Sequence, residues 1–264
     1  METTDRKIPK ILVVANLKGG VGKTATVQSI SSGLTERGYR VLAVDCDAQG
    51  NLSTNLAAET ENRATVFDLL MGDTTAKEAI QHPSGCKFSV IPSDLTLAWA
   101  DRQFVRTGKE VLLRTALEPV FDMYDYIILD TAPSLGIATI NALMLPDAGI
   151  ICPLHGKNSV GGFRMLMDEV ANIRKYGNPG LHIEGLLLTF YEGRHRVCQG
   201  VKTAAEIVAA EYNAKLFETK IRKSARVDEA NFCETDLLLY DPMNNVSADY
   251  QSLVSEMLGG ERGV

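Results

Sequence analysis

The sequence has few cysteines, and none of them form a metal-binding or redox pattern. Five cysteines are scattered over 264 residues, and no C-x-x-C pair occurs. This spacing argues against a zinc site, a thioredoxin-like motif and an iron–sulfur cluster. The first ten residues, METTDRKIPK, contain no apolar stretch. We therefore expect no signal peptide, reduced thiols and a cytoplasmic location.

Long apolar runs and an excess of positive charge are also absent. No run of about 18 apolar residues occurs, so no membrane-spanning helix is predicted. Lys and Arg number 27 against 33 Asp and Glu, a net charge of −6, so any contact with nucleic acid must come from a local basic patch. A hydrophobic content of 45% is ordinary for a globular protein. We expect one domain over 1–264, with short flexible tails at 1–9 and 259–264.

Apolar runs alternate with helical stretches along most of the chain. The predicted strands are 11–15, 41–45, 88–91, 126–130, 149–152 and 185–189. The predicted helices are 24–37, 66–70, 109–120, 139–145, 162–176, 201–211 and 247–258. Strands built of consecutive Val, Ile and Leu are typical of burial on both faces. We therefore predict an α/β fold, with a mostly parallel twisted sheet flanked by helices on both faces.

A glycine-rich segment, KGGVGKT at 18–24, lies between the first strand and the first helix. Glycines permit a tight turn that brings backbone N–H groups onto phosphate oxygens, and the helix points its positive end at the same anion. Lys23 is expected to neutralise the β- and γ-phosphates, and the Thr24 hydroxyl to bind Mg²⁺. Leu17 replaces the first glycine of the standard loop. The predicted phosphate-binding residues are Lys18, Gly19, Gly20, Val21, Gly22, Lys23, Thr24 and Ala25.

This loop resembles the deviant Walker A loop of the ParA/MinD superfamily of P-loop ATPases, with Lys18 matching the signature lysine. The resemblance implies ATP and Mg²⁺ as ligands. It also implies a homodimer in the ATP-bound state, in which Lys18 reaches the phosphates of the partner subunit. Lys18 and Lys23 are therefore expected to take part in catalysis.

Two aspartates follow the second strand in the segment DCDAQGN at 45–51. Carboxylates at the carboxyl end of a strand beside a phosphate loop can position Mg²⁺ or a water molecule. The segment resembles the D-x-D-P-Q-G-N motif of the same superfamily, with Ala48 in place of proline. By that resemblance Asp47 is catalytic and orients the attacking water, and Asp45 lies nearer the metal. The alternative is that one of the two merely caps the next helix.

A third aspartate, Asp130, ends the apolar segment YDYIILD. A carboxylate held by a rigid strand can steady hydrated Mg²⁺, which is the Walker B arrangement. This segment resembles the superfamily motif Y-D-Y-I-I-I-D-x-P-P-S. No strong general base accompanies these residues, so we expect slow intrinsic ATP hydrolysis that depends on positioning.

The C-terminal third resembles the ParA branch of the superfamily. Arg194 occupies the position of a loop arginine. Arg226 matches the second arginine of the motif I-P-R-N-V-R-x-x-E-A, and Lys223 replaces the first. By resemblance, these three residues are expected to bind DNA non-specifically. Arg222 stands where the family has a proline beside the adenine, which makes it a candidate nucleotide contact. The alternative is a solvated charged surface with a few ion pairs.

These features predict a short, Soj-like partition ATPase. In this reading the ATP-bound dimer binds DNA non-specifically on the nucleoid. It releases DNA when a ParB-like centromere-binding partner stimulates hydrolysis. The same switch could position a protein cargo instead. A MinD-like membrane role would need a basic amphipathic C-terminal helix, which the segment 252–264 lacks, so we expect no stable membrane association.

Overall fold

The computed structural model describes residues 8–103, 108–193 and 196–259. Within them, seven strands form one parallel sheet in the order β3-β2-β4-β1-β5-β6-β7. The strands are β1 Lys10–Val14, β2 Val41–Cys46, β3 Ser89–Ile91, β4 Tyr126–Thr131, β5 Gly149–Leu154, β6 His182–Leu188 and β7 Leu216–Lys220.

Helices cover both faces of this sheet. They are α1 Lys23–Glu36, α2 Asn51–Asn55, α3 Val66–Met71, α4 Ala76–Ala79, α5 Ala100–Gln103, α6 Leu112–Leu117, α7 Ile137–Leu143, α8 Lys157–Tyr176, α9 Arg196–Glu211, α10 Ala225–Phe232, α11 Leu237–Tyr240 and α12 Asn245–Met257. Successive strand residues point to opposite faces. In β1, Ile11 and Val13 therefore join the core under α3 and α6 to α9, whereas Leu12 and Val14 join the core under α1 and α10 to α12.

The predicted α/β class is confirmed, and all six predicted strands are present. The strand β7, the helix α10 and the short helices α2, α4, α5 and α11 were not among the predicted elements. The strand β7 lies at the sheet edge, with side chains that are mostly half-buried or exposed, so its apolar signal is weak. The helix α10 has a single buried residue, Ala230, which gives little apolar periodicity.

The helix predicted at 109–120 is wrong in its extent. Only Leu112–Leu117 is α-helical, and 3₁₀ turns flank it at Lys109–Val111 and Glu118–Met123. Pro119 explains the change at the C-terminal side, because proline lacks the N–H that a continuing helix requires. The flexible tails predicted at 1–9 and 259–264 lie almost wholly outside the described residues. The single-domain boundaries stay a prediction.

The sheet order brings the predicted site together. β4 lies between β1 and β2, and all three strands are parallel, so their carboxyl ends share one edge of the sheet. Asp130 is paired in register with Asp45 on one side and with Val14 on the other. The phosphate loop follows β1, so it emerges beside both aspartates. Among the described residues, no helix is both long and apolar enough to cross a membrane.

Candidate nucleotide-binding site

The phosphate loop has the backbone conformation that its glycines were expected to provide. Gly20 and Gly22 have φ values of 69° and 85°, in the left-handed region that other residues enter only with strain. Gly22 directly precedes α1, which begins at Lys23. The first N–H groups of α1 and its positive end therefore face the loop.

Asn16, fully buried at the end of β1, holds the loop against the rest of the fold. Its side-chain Nδ2 donates to the carbonyls of Pro153 at 2.8 Å and Ser159 at 3.1 Å, and its Oδ1 accepts the Lys18 N–H at 2.9 Å. A Cβ on Gly162 of α8 would lie 2.5 Å from this Oδ1. Glycine at 162 therefore lets α8 approach the loop closely.

Lys23 points into the site and is nearly buried. Only 7% of the residue is exposed, and its Nζ donates to the Asn16 carbonyl at 3.3 Å. Burial lowers the pKa of Lys23, and this is partly offset by the negative charges of Asp130 and Asp47. A buried ammonium with one weak protein partner is well placed to bind anionic phosphate oxygens.

Asp130 lies directly beneath the first turn of α1. Its Oδ2 accepts a hydrogen bond from the Thr24 hydroxyl at 2.7 Å, while its buried Oδ1 has no partner. Burial, reinforced by the nearby Asp45, raises the pKa of Asp130 to about 8. The Thr24 hydroxyl and an orphaned carboxylate oxygen form a donor set that suits a hydrated Mg²⁺. No cluster of three metal-binding side chains occurs among the described residues.

Asp45 has both carboxylate oxygens engaged within the protein. Oδ2 accepts from the Ser53 N–H at 3.0 Å and the Ser53 hydroxyl at 2.7 Å, and Oδ1 accepts the Asp47 N–H at 3.1 Å. Ser53 is in the first turn of α2, so Asp45 caps that helix from a distance. Burial raises the pKa of Asp45 to about 6. Its geometry supports the capping alternative, and its metal role stays a prediction.

Asp47 is half-buried and lines the nucleotide cleft. Its Oδ1 accepts the Gln49 N–H at 3.0 Å, which fixes the carboxylate at the start of the loop before α2. The Asp47 N–H in turn donates a hydrogen bond to Asp45 Oδ1. The structure therefore places Asp47 beside Lys23 and Thr24 on a firmly anchored segment.

The phosphate loop opens into a cleft of about 650 Å³. Predicted residues that line it are Gly19, Gly20, Gly22, Lys23, Thr24, Ala25, Asp47 and Lys223. Lys18 lies on the other side of the loop. There it lines a second cleft of about 1000 Å³, together with Leu135, Lys157 and Met165. The two loop lysines thus face different spaces.

The predicted arginines have different surroundings. Arg222 donates from Nε and a terminal nitrogen to the two oxygens of Asp249, both at 2.7 Å, and does not line the cleft. Arg226 pairs with Glu229 at 2.5 Å and with Asp241 at 3.3 Å. Arg194 lies outside the described residues. The roles assigned to all three stay predictions.

Sequence reasoning missed Asn16, Ser53 and Phe190. Phe190 follows β6 with a left-handed φ of 48°, and its ring lies 3.5 Å from where a Cβ of Gly22 would be. Its ring also meets His155 edge to face at 4.9 Å between centroids. For Asn16 a signal existed, because a lone amide ends an otherwise apolar strand. Ser53 and Phe190 carry no comparable local signal.

Comparisons with known proteins agree with this geometry. A family model described as an AAA domain matches residues 9–183. The sporulation initiation inhibitor protein Soj of Bacillus subtilis is 36% identical over 94% of this chain and 98% of its own length. The chromosome partitioning protein ParA of Caulobacter vibrioides is 34% identical over 96% and 95%.

Solved structures agree as well. The crystal structure of cobyrinic acid a,c-diamide synthase from Mycobacterium smegmatis, with bound ADP and magnesium, has a TM-score of 0.81 to this chain. It is 28% identical, and the match covers 95% of this chain and 94% of that one.

Proposed function

Because this chain belongs to the ParA/Soj family of P-loop ATPases, we propose that it is an ATP-dependent switch for plasmid or chromosome partition. The observation that carries the proposal is that Lys23, Thr24 and Asp47 line one cleft beside a glycine-rich loop. The buried Asp130 accepts a hydrogen bond from Thr24 directly beneath them. The similarity to the chromosome partitioning protein ParA, over 96% of this chain and 95% of that protein, supports DNA partition over the positioning of a protein cargo.

In the proposed reaction, ATP phosphates lie on the loop between β1 and α1. Lys23 neutralises the charge that develops on the transferred phosphoryl group, and the loop N–H groups fix its orientation. Thr24 and Asp130 would hold Mg²⁺, which when bound supplies a positive charge to the β- and γ-phosphates. Asp47 accepts a hydrogen bond from the attacking water and orients it in line.

Lys18 is proposed to act between subunits. It lines a cleft separate from the nucleotide cleft of its own subunit, so it is free to reach the phosphates of a second copy. ATP then joins the two copies, and hydrolysis separates them. A ParB-like partner is proposed to accelerate that step.

DNA binding is proposed to follow from dimerisation. Arg226 lies in the first turn of α10, and Lys223 lies just before this helix and lines the nucleotide cleft. Arg194 stays in the proposal from the sequence. Two copies would double the number of phosphate contacts, so affinity should depend steeply on nucleotide state and on salt.

Binding to a random-sequence DNA duplex tests this function directly. It would be measured with Mg²⁺ and ATP, with Mg²⁺ and ADP, and without nucleotide, at 50 and 200 mM salt. Of the three states, we expect only the one with Mg²⁺ and ATP to bind DNA. For six or more phosphate contacts, the affinity should fall on the order of 10³-fold or more at the higher salt. Equal binding in all three states would rule out an ATP-controlled DNA switch.

A further inference from the structure

The chain between β4 and α7, residues 132–136, borders both the nucleotide cleft and the cleft that contains Lys18. We call these residues the wall segment. Pro133 lines both clefts, and the two residues after it continue along the Lys18 cleft. The Pro133 ring lies 3.9 Å from where a Cβ of Gly19 would be, so it packs against the phosphate loop. The wall segment therefore separates the phosphate loop from the face that a second copy is proposed to meet.

A carboxylate of α5 fixes the C-terminal end of the wall segment. Asp101 Oδ1 accepts the N–H of Ile137, the first residue of α7, at 2.6 Å, although the two residues are 36 positions apart. A carboxylate in this place satisfies an N–H that lacks a partner within the helix, and it faces the positive end of the helix dipole. The N-cap residue of α7 is Gly136, which has no side chain to do this. Asp101 therefore takes the place of a local cap.

Gly136 leaves room for the carboxylate of Asp101. A Cβ at position 136 would lie 2.9 Å from Asp101 Oδ2, closer than such atoms normally approach. The backbone of Gly136 has φ −67° and ψ 172°, which residues other than glycine also adopt. The glycine thus serves the approach of Asp101, since the backbone conformation does not require it. A serine or aspartate at 136 could cap α7 locally, whereas this pair ties the wall segment to a separate surface element.

The wall segment also borders the proposed catalytic aspartate. A third cleft, of about 330 Å³, is lined by Asp47, by Asp101 and by four residues of the wall segment, namely Ala132, Pro133, Ser134 and Gly136. A shift of the wall segment would therefore change the surroundings of Asp47 and of the phosphate loop together. Catalysis by positioning is sensitive to such a shift, because a displacement of about 1 Å can cost about 100-fold in rate.

We infer that Asp101 is a positioning residue for ATP hydrolysis, which acts by holding the wall segment against the phosphate loop. The line of contacts runs from Asp101 to the start of α7, and through the wall segment from Pro133 to Gly19. Asp101 does not line the nucleotide cleft, so it acts through the wall segment and does not contact ATP. This inference rests on the proposed ATPase function and adds a residue that controls the rate of the reaction.

The experiment measures ATP affinity by calorimetry and phosphate release at saturating ATP in the wild type, Asp101→Ala and Asp101→Asn. Asp101→Ala should lower the hydrolysis rate about tenfold or more, because the wall segment loses its anchor. Its affinity for ATP should stay within about twofold of the wild type, since no group leaves the nucleotide cleft. Asp101→Asn keeps an oxygen that can accept the Ile137 N–H, so it should restore most of the rate. If Asp101→Asn were as slow as Asp101→Ala, the hydrogen bond would not be what matters and the inference would fail.

Gly136→Ala breaks the same contact from the other side. The added Cβ displaces the Asp101 carboxylate, while the charge remains and the backbone can keep its conformation. This variant should therefore lose about as much of the hydrolysis rate as Asp101→Ala. The two losses should not add in the double variant, because each change removes the same contact. Additive losses would show that the two residues act separately and would overturn the inference.

Asp125→Ala is the control for a merely structural effect. Asp125 accepts the Arg40 N–H at 2.9 Å across 85 positions of the chain, and it precedes β4, at the other end of that strand from Asp130. Its loss should lower thermal stability and keep the hydrolysis rate. An unchanged rate in Asp101→Ala, or an equal fall in Asp125→Ala well below the unfolding temperature, would overturn the positioning role alone. A wild type that neither binds nor hydrolyses ATP would overturn the ATPase proposal as well.

Discussion

The Thr24 hydroxyl donates to Asp130 Oδ2 across 2.7 Å, and the two residues are 106 positions apart in the chain. This bond joins the first turn of α1 to the last residues of β4. It ties the phosphate loop to an inner strand of the sheet. Because the bond occupies only one oxygen, the buried Oδ1 is left for a further ligand.

Replacing Asp130 by asparagine should stabilise the protein without nucleotide or Mg²⁺ at alkaline pH. The pKa of Asp130 is raised to about 8 in the folded state and is about 4 in an unfolded chain, so the folded protein holds the proton more tightly. Its contribution to stability therefore falls as the pH rises from about 4 to about 8. Asp130→Asn removes this loss of stability. The free energy of unfolding of the variant should exceed that of the wild type by more than about 1 kcal/mol at pH 8.5.

Thermal unfolding in EDTA at pH 5.5, 7.0 and 8.5 would measure this effect. The advantage of Asp130→Asn should grow with pH and level off above about 8. Asp73→Asn, which changes an exposed carboxylate, should show no such trend. If the variant is less stable than the wild type at pH 8.5, the attraction between Lys23 and the Asp130 carboxylate outweighs the cost of burying that charge.

Asp47→Ala should slow ATP hydrolysis at least about 100-fold while ATP binding persists, because positioning of the water by a side chain contributes on that scale. The ATP-bound dimer should accumulate. Phosphate release and light scattering would report the two quantities. Asp228→Ala, which removes a carboxylate of α10 that also lines the cleft, should turn over normally at saturating ATP. Rapid hydrolysis by Asp47→Ala would refute its role.

Lys18→Ala and Lys23→Ala should fail in different ways. Lys23 is buried in the nucleotide cleft, so its loss should remove ATP binding. Lys18 lines the neighbouring cleft, so Lys18→Ala removes no group from the nucleotide cleft. The affinity of this variant for ATP should be within about twofold of that of the wild type. It should nevertheless remain monomeric. Calorimetry and light scattering would distinguish the two. A dimer of Lys18→Ala with ATP would contradict the proposed contact between subunits.

Glu229→Gln should strengthen DNA binding, because Glu229 now holds the Arg226 guanidinium at 2.5 Å. The variant leaves Arg226 with Asp241 alone, at 3.3 Å. This partial release should raise affinity several-fold and steepen the dependence on salt by about 0.9 per added phosphate contact. Arg226→Glu should abolish binding and spare ATP affinity. Fluorescence anisotropy with duplex DNA over a range of salt concentrations would measure both.

The control for this experiment uses the same kind of ion pair elsewhere. Arg164 on α8 is held by Glu211 at 2.8 Å, so Glu211→Gln frees an arginine outside the proposed DNA surface. Its DNA affinity should match that of the wild type. An equal gain in both variants would show that net charge, and no particular surface, controls binding.

Much of the site could be predicted from the sequence, because its motifs are local. The loop at 18–24 contains its own turn residues, and each aspartate directly follows its strand, so chain order alone placed them at one sheet edge. Parallel strands carry that information, since their carboxyl ends must lie together. The strand β7 and helix α10 were missed because they bury too little apolar surface to leave a periodic signal.

The sequence by itself determined the fold class, the phosphate loop and the carboxylates around it, because buried strands and glycine turns are specified by neighbouring residues. Only the tertiary structure decided the partners of each charge. It engaged Asp45 with Ser53, committed Arg222 to Asp249, and joined Asp101 to the start of α7. Such pairings join residues that are distant in the chain, and they depend on how helices pack against the sheet, which no local pattern encodes.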